Sequence, residues 1–154
     1  MKITSQEEYG LRCLLQLVRA SAHQQVVSVK EIATKEGLSH AYVEKLLRFL
    51  GRAGLVHSVR GIRGGYVLNR PASSITLGEV VRALGTVQTT DHICQHFTGN
   101  LTVCVHFSNC GIRSVWSGLT TYIQRFLDQT MLDQLLENEY VVSERLEKQP
   151  LRGA

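Results

Sequence analysis

Apolar residues recur at three- and four-residue spacing through Tyr9, Leu11, Leu14, Leu15, Leu17 and Val18, the period of a helix buried on more than one side. Ser5-Gln6-Glu7-Glu8 matches a capping box with Glu8 at the third helical position, so the helix is expected from Ser5 to about Ala22. A second box, Ser28-Val29-Lys30-Glu31, opens a short helix that ends at Gly37, a natural left-handed terminator. Ser39 caps a third helix from His40 to about Ala53, closed by Gly54, with Val43, Leu46, Leu47 and Leu50 on one side. Two helices joined by a short turn containing glycine form a helix-turn-helix.

After Gly54 the period shifts. Leu55–Val59 and Tyr66–Leu68 favour strands, and Arg60-Gly61-Ile62-Arg63-Gly64-Gly65 between them makes a hairpin. A helix-turn-helix followed by such a hairpin is a winged helix. Pro71-Ala72-Ser73-Ser74 breaks the chain, and the box Thr76-Leu77-Gly78-Glu79 opens a helix ending near Gly85. From there to about Asn109 periodicity disappears, the mark of a functional loop or a disordered one. A long amphipathic helix follows through Ile112, Val115, Trp116, Leu119, Ile123, Phe126 and Leu127, with a kink expected at Thr130-Met131 and the pattern resuming to Val141. Its apolar stripe is longer than a small domain covers alone, which points to a helix–helix dimer seam, although packing back on helix 1 would use part of the same face. The expected fold is mainly α with a small β-hairpin wing: a winged helix-turn-helix domain (1–85), a cysteine-bearing loop (86–110), a long C-terminal dimerisation helix (111–142) and a flexible tail (143–154).

Composition narrows the class. The 154 residues are 44% hydrophobic and 19% charged with only two Pro, an ordinary globular chain without collagen-like or disulfide-scaffold character. No apolar run approaches the ~20 residues that span a bilayer, and the first residues lack an export signal, so the expected location is cytoplasmic. Residues 1–85 hold twelve Lys and Arg against six Asp and Glu, whereas residues 86–154 hold five against seven. A basic first half suggests a polyanion-binding unit with something else attached.

The second helix of a helix-turn-helix enters the major groove by its N-terminal part. Here that part offers Ser39, His40, Tyr42, Glu44 and Lys45, with Arg48 one turn later. Hydroxyls suit phosphates or bases, Lys45 and Arg48 suit phosphates or guanine, and Glu44 can accept from cytosine N4. Arg60 and Arg63 at the wing suit a narrow minor groove.

Cys94, Cys104 and Cys110 fall within seventeen residues, while Cys13 stands apart on an apolar helix face as a small core side chain. No C-x2-C pair is present, which disfavours a zinc ribbon or a thioredoxin-type motif. Three widely spaced thiols on a loop can wrap an iron–sulfur cluster, with a further ligand from elsewhere. They can equally serve as a cluster-free thiol switch that forms disulfides on oxidation. His92, His96 and His106 interleave with them as possible nitrogen ligands. No P-loop, Gly-x-Ser-x-Gly or His-Glu-x-x-His is present, and nothing reads as an enzyme. A module that controls a partner enzyme and binds DNA incidentally is a further reading.

Several linked motifs carry a family resemblance. They are Met1-Lys2-Ile3-Thr4…Glu8-Tyr9-Gly10-Leu11-Arg12, Gly37-Leu38-Ser39…Tyr42-Val43-Glu44-Lys45-Leu46-Leu47, Ser58-Val59-Arg60-Gly61-x-x-Gly64-Gly65-Tyr66 and Ile75-Thr76-Leu77-Gly78-Glu79-Val80. Together they resemble the IscR/NsrR/RirA/CymR family of bacterial winged-helix regulators over residues 1 to about 140. The resemblance implies a homodimer on a pseudo-palindromic double-stranded DNA operator, with the C-terminal helices crossing at the interface. It also implies an iron–sulfur cluster (2Fe–2S or 4Fe–4S) held by Cys94, Cys104 and Cys110, whose state controls operator affinity. The run between the first two cysteines is longer than the family's usual one. Some members take a fourth ligand from a His three residues after the last cysteine; here that residue is Arg113, which cannot serve. Others use an acidic residue of helix 1 from the partner subunit, and Glu8 stands at that position, in competition with its expected capping role.

Overall fold

A computed structural model of the chain describes residues 3–85 and 98–148. Helix α1 spans Ser5–Ser21, and its capping box is set one residue earlier than the sequence suggested. Thr4 is the N-cap: its hydroxyl accepts from the Glu7 N–H at 3.3 Å, and the Glu7 carboxylate accepts from the Thr4 N–H at 2.7 Å. Both registers supply a hydroxyl with Glu three residues on. The earlier one gains a further helical bond, from the Glu8 N–H to the Thr4 carbonyl at 3.0 Å. Glu7, not Glu8, therefore closes the box.

Helix α2 (Val29–Glu36) ends at Gly37 with φ 66°, which turns the chain into α3 (His40–Arg52) behind the Ser39 cap. Val43, Leu46, Leu47 and Leu50 of α3 are fully buried with Cys13, Leu14 and Leu17 of α1 and Ile32 of α2. Strands β1 (Val56–Val59) and β2 (Gly65–Leu68) pair antiparallel with Val56 opposite Leu68 and Val59 opposite Gly65. Val27, just before α2, joins this hairpin by exchanging backbone hydrogen bonds with Tyr66 at 2.9 and 3.1 Å. The approach demands glycine beside it, since a Cβ on Gly65 would fall 2.3 Å from the Val27 carbonyl oxygen. The wing is thus sewn to the chain before the helix-turn-helix as well as after it.

A 3-10 turn at Ala72–Ser74 precedes α4 (Leu77–Leu84), whose Thr76–Glu79 capping box forms as expected. Helix α5 covers Gly111–Gln129 and stops at Thr130. A 3-10 segment, Leu132–Leu136, and a separate helix α6, Glu139–Lys148, follow. The expected unit 111–142 is therefore two helices with an interruption, and the expected tail is helical as far as Lys148; residues 149–154 lie outside the described residues.

The interruption has a physical cause. Leu77 N–H donates to the Thr130 carbonyl at 2.8 Å and Leu132 N–H to the Ile75 carbonyl at 2.9 Å, so residues 130–132 bridge to the segment entering α4. Docking buries Leu132 completely in the same core as Leu14, Leu50 and Leu84. The hydrophobic core of residues 1–85 is completed by a side chain from the C-terminal region. Among the described residues no helix is long and apolar enough to cross a membrane.

Candidate DNA-reading head and cysteine loop

Helix α3 divides its faces sharply. Its inner residues are closed off, while Ser39, His40, Glu44, Lys45 and Arg48 are exposed. The Ser39 hydroxyl oxygen accepts from the Tyr42 N–H at 3.3 Å, which leaves its O–H free to donate. Lys45 Nζ lies 5.9 Å above the Phe49 ring, near enough for the cation to favour the ring face. Tyr42 is half-buried because its ring meets Tyr9 of α1 edge-on at 6.2 Å. Of the wing residues, Arg60 and Arg63 are both exposed.

Helix α1 also grips the end of α2. The Arg12 guanidinium pairs with the Glu36 carboxylate at 2.8 Å, and the Gln16 amide donates to the same carboxylate, whose side chain is only 7% exposed. Arg12 in turn sits 5.8 Å from the Tyr9 ring centroid. Sequence reasoning missed this clamp, because its partners lie twenty or more residues apart and no local pattern links them.

On the cysteine loop, Cys104 and Cys110 are free, half-buried thiols. Cys94, with His92 and His96, lies outside the described residues. Turns fold the segment between the two described cysteines: Phe107 N–H donates to the Cys104 carbonyl at 2.9 Å and Asn109 N–H to the His106 carbonyl at 3.2 Å. Cys110 is the N-cap of α5. Arg113, in the first turn of that helix, reaches back to the loop. Its Nη2 donates to the Phe107 carbonyl at 2.5 Å, its guanidinium lies 5.3 Å from the Phe107 ring centroid, and its Nε is buried without a partner among the described residues. The residue that cannot be a ligand is thus a brace for the cysteine turn.

Glu8 is exposed and released from capping. Among the described residues no three His, Cys, Asp or Glu side chains of one chain gather around a metal position, so Glu8, Cys104 and Cys110 do not meet within a single subunit. The donor set nonetheless suits iron–sulfur chemistry, because two unpaired thiols on a short braced loop, with a third on the same segment, are soft anionic ligands. His106 is exposed. Cys13 belongs to the core: it is fully buried, and desolvation pushes its thiol up to about 11.

Beyond the loop, α5 buries none of its residues, and Ile112, Val115, Trp116, Leu119 and Tyr122 stand exposed along it at helical spacing.

A family profile described as "Rrf2: Iron-dependent Transcriptional regulator" matches residues 3–138. The chain is 33% identical over 140 residues to the HTH-type transcriptional regulator IscR of Cereibacter sphaeroides, covering 90% of this chain and 89% of that one. Among solved structures, CymR, described as the global cysteine regulator of B. subtilis, superposes with a TM-score of 0.70 at 30% identity, over 88% of this chain and 95% of that one. IscR of T. potens does so with 0.69 at 31% identity, over 99% and 94%. A winged helix-turn-helix with a long C-terminal helix, matched by sequence along almost its whole length, leaves one assignment: the chain belongs to the Rrf2 family of transcriptional regulators.

Proposed function

We propose that the chain is a homodimeric regulator whose hold on a pseudo-palindromic operator is set by an iron–sulfur cluster on the cysteine loop. Cys94, Cys104, Cys110 and Glu8 of the partner subunit would hold that cluster. The observation that carries the reading is the pair of unpaired thiols, Cys104 and Cys110, on one short loop at the head of α5. The exposure of Glu8, freed by Glu7, supports the fourth ligand. When bound, such a cluster supplies a redox- and ligand-sensitive centre.

The protein's own residues do the rest. Arg113 braces the turn between Cys104 and Cys110. The apolar row Ile112, Val115, Trp116, Leu119 and Tyr122 forms the subunit seam, which buries what α5 leaves open. Lys45, Arg48, Arg60 and Arg63 hold phosphates and groove edges, while Ser39, His40, Tyr42 and Glu44 face bases. Two reading heads must lie about one helical turn apart, ~34–36 Å, so a change in subunit placement changes the grip on both half-sites. The limits that go with this reading are a reading head of residues 1–85 completed by Leu132, a cysteine loop of 86–110, and a seam on α5 within 111–142, followed by the segment 143–154.

The deciding test is the visible spectrum of protein purified without oxygen, with iron and sulfide assays. Brown protein with matched iron and sulfide, lost in Cys104→Ser together with operator affinity, is the expected result. Protein that stays colourless after anaerobic reconstitution overturns it.

A second reading, a cluster-free disulfide switch, is favoured by the same free thiols and by the likeness to Staphylococcus aureus CymR, whose structure is known in an oxidized form. Oxidised protein would then gain a disulfide among Cys94, Cys104 and Cys110 on non-reducing electrophoresis, with operator affinity changing in step.

A further inference from the structure

We propose that Ile62 reads the minor groove beneath the wing and selects A·T over G·C pairs there; this rests on the operator-binding reading above. The wing tip beyond the last ladder pair is Arg60-Gly61-Ile62-Arg63-Gly64. Gly61 takes φ +125°, and the Gly64 N–H donates to the Gly61 carbonyl at 2.9 Å, closing a tight turn. A Cβ on Gly64 would lie 2.6 Å from the Val59 oxygen, so the turn is compact against its own strand. Ile62 has nothing to pack on. Its relative exposure is 108%, the highest of the large apolar side chains among the described residues, and exposed Arg60 and Arg63 flank it.

An apolar knob between two guanidiniums complements a channel with phosphate walls and a floor from which no donor protrudes. The minor groove over A·T pairs is that channel: narrow, strongly negative, and presenting only acceptors on its floor. A G·C pair adds the guanine N2 amino donor. A saturated side chain cannot accept from that donor, and its approach strips away the water that does, leaving a polar group unpaired. Selection by Ile62 thus works by rejection, on top of the hold of Arg60 and Arg63 on the phosphate walls.

Duplexes of about 30 base pairs, selected from a random pool by the full-length protein, provide the test. Flanking A·T pairs under the wing are replaced by G·C, or by inosine·C, which keeps the major-groove face of G·C but lacks the N2 amino group. Wild-type protein is expected to bind the G·C duplex about tenfold more weakly, within the usual range for one mismatched pair, and the inosine·C duplex within about twofold of A·T. Ile62→Ser should bind all three within about twofold of one another, while Ile62→Leu keeps the wild-type ranking. Equal wild-type affinity for A·T and G·C, an inosine·C duplex as weak as G·C, or a ranking that survives in Ile62→Ser overturns the inference and leaves operator binding standing. A protein that selects no sequence from the pool overturns the operator reading and this one with it.

Discussion

The Tyr9 ring meets the Tyr42 ring edge-on, with centroids 6.2 Å apart and planes at 80°, and so joins the helix that carries Glu8 to α3, whose outer face is exposed. Edge-to-face pairs contribute about 0.5–1.5 kcal/mol beyond the area they bury. A double-mutant cycle of Tyr9→Leu and Tyr42→Leu, read by denaturant unfolding, should therefore show a coupling of about that size. Strict additivity would mean that the rings only fill space.

Glu7 and Glu8 are neighbours with separable duties. Glu7→Ala opens the Thr4 capping box and should lower apo-protein stability by about 1 kcal/mol in a thermal or urea melt. Glu8→Ala touches no described bond and should leave apo-protein stability within about 0.5 kcal/mol. Iron and sulfide content should respond in the opposite order, falling in Glu8→Ala and holding in Glu7→Ala.

Acid should loosen the junction at the start of α4. The Thr76 N–H donates to the Glu79 carboxylate at 2.9 Å, and the Arg70 guanidinium faces it at 2.5 Å. The hydrogen bond from the Thr76 backbone, then Arg70, hold the Glu79 carboxyl below the usual carboxylate range. A carboxyl with a lower pKa folded than unfolded stabilises the fold above its unfolded value, and that stabilisation is lost as pH falls through the folded value. Glu79→Gln keeps an acceptor for the box but removes the titration. Its urea midpoint should fall less than that of the wild type as pH drops from about 5 to about 3.

Leu132 lies far from residues 1–85 in sequence yet is wholly buried in their core. Leu132→Ala should cost about 2–5 kcal/mol in unfolding free energy, as a core truncation does. A chain cut after Gly85 lacks both this side chain and the Thr130–Leu77 hydrogen bond, and should show no cooperative melt at the temperature of the full protein.

The elements legible in the sequence were those with local signals. The boxes Ser28–Glu31 and Thr76–Glu79, the Ser39 cap and the left-handed Gly37 stand where turn and cap chemistry predicts. The first box slipped by one residue because Thr4 and Ser5 are both competent caps, and only the extra bond from Glu8 to Thr4 decides between them. What stayed hidden is nonlocal: Val27 joining the wing, Glu36 clamped by Arg12 and Gln16, and Leu132 returning to the core. Arg113 was legible only by exclusion, as a residue unable to ligate. Its hold on Phe107 depends on a loop conformation that no periodicity encodes.

Helix α5 is anchored at one end and open at the other. Its last turn is fixed to α4 through the Leu77–Thr130 bond and the Arg82–Asp128 pair at 2.8 Å, whereas Cys110 sits at its opposite tip. Its 19 residues make an arm of about 28 Å, so a rotation of about 5° at the anchor carries the cysteine end through roughly 2.5 Å. Read in the other direction, the arm exchanges travel for torque. A push on Cys110 would reach α4 as a small turn delivered with mechanical advantage, at the junction where Leu132 closes the core.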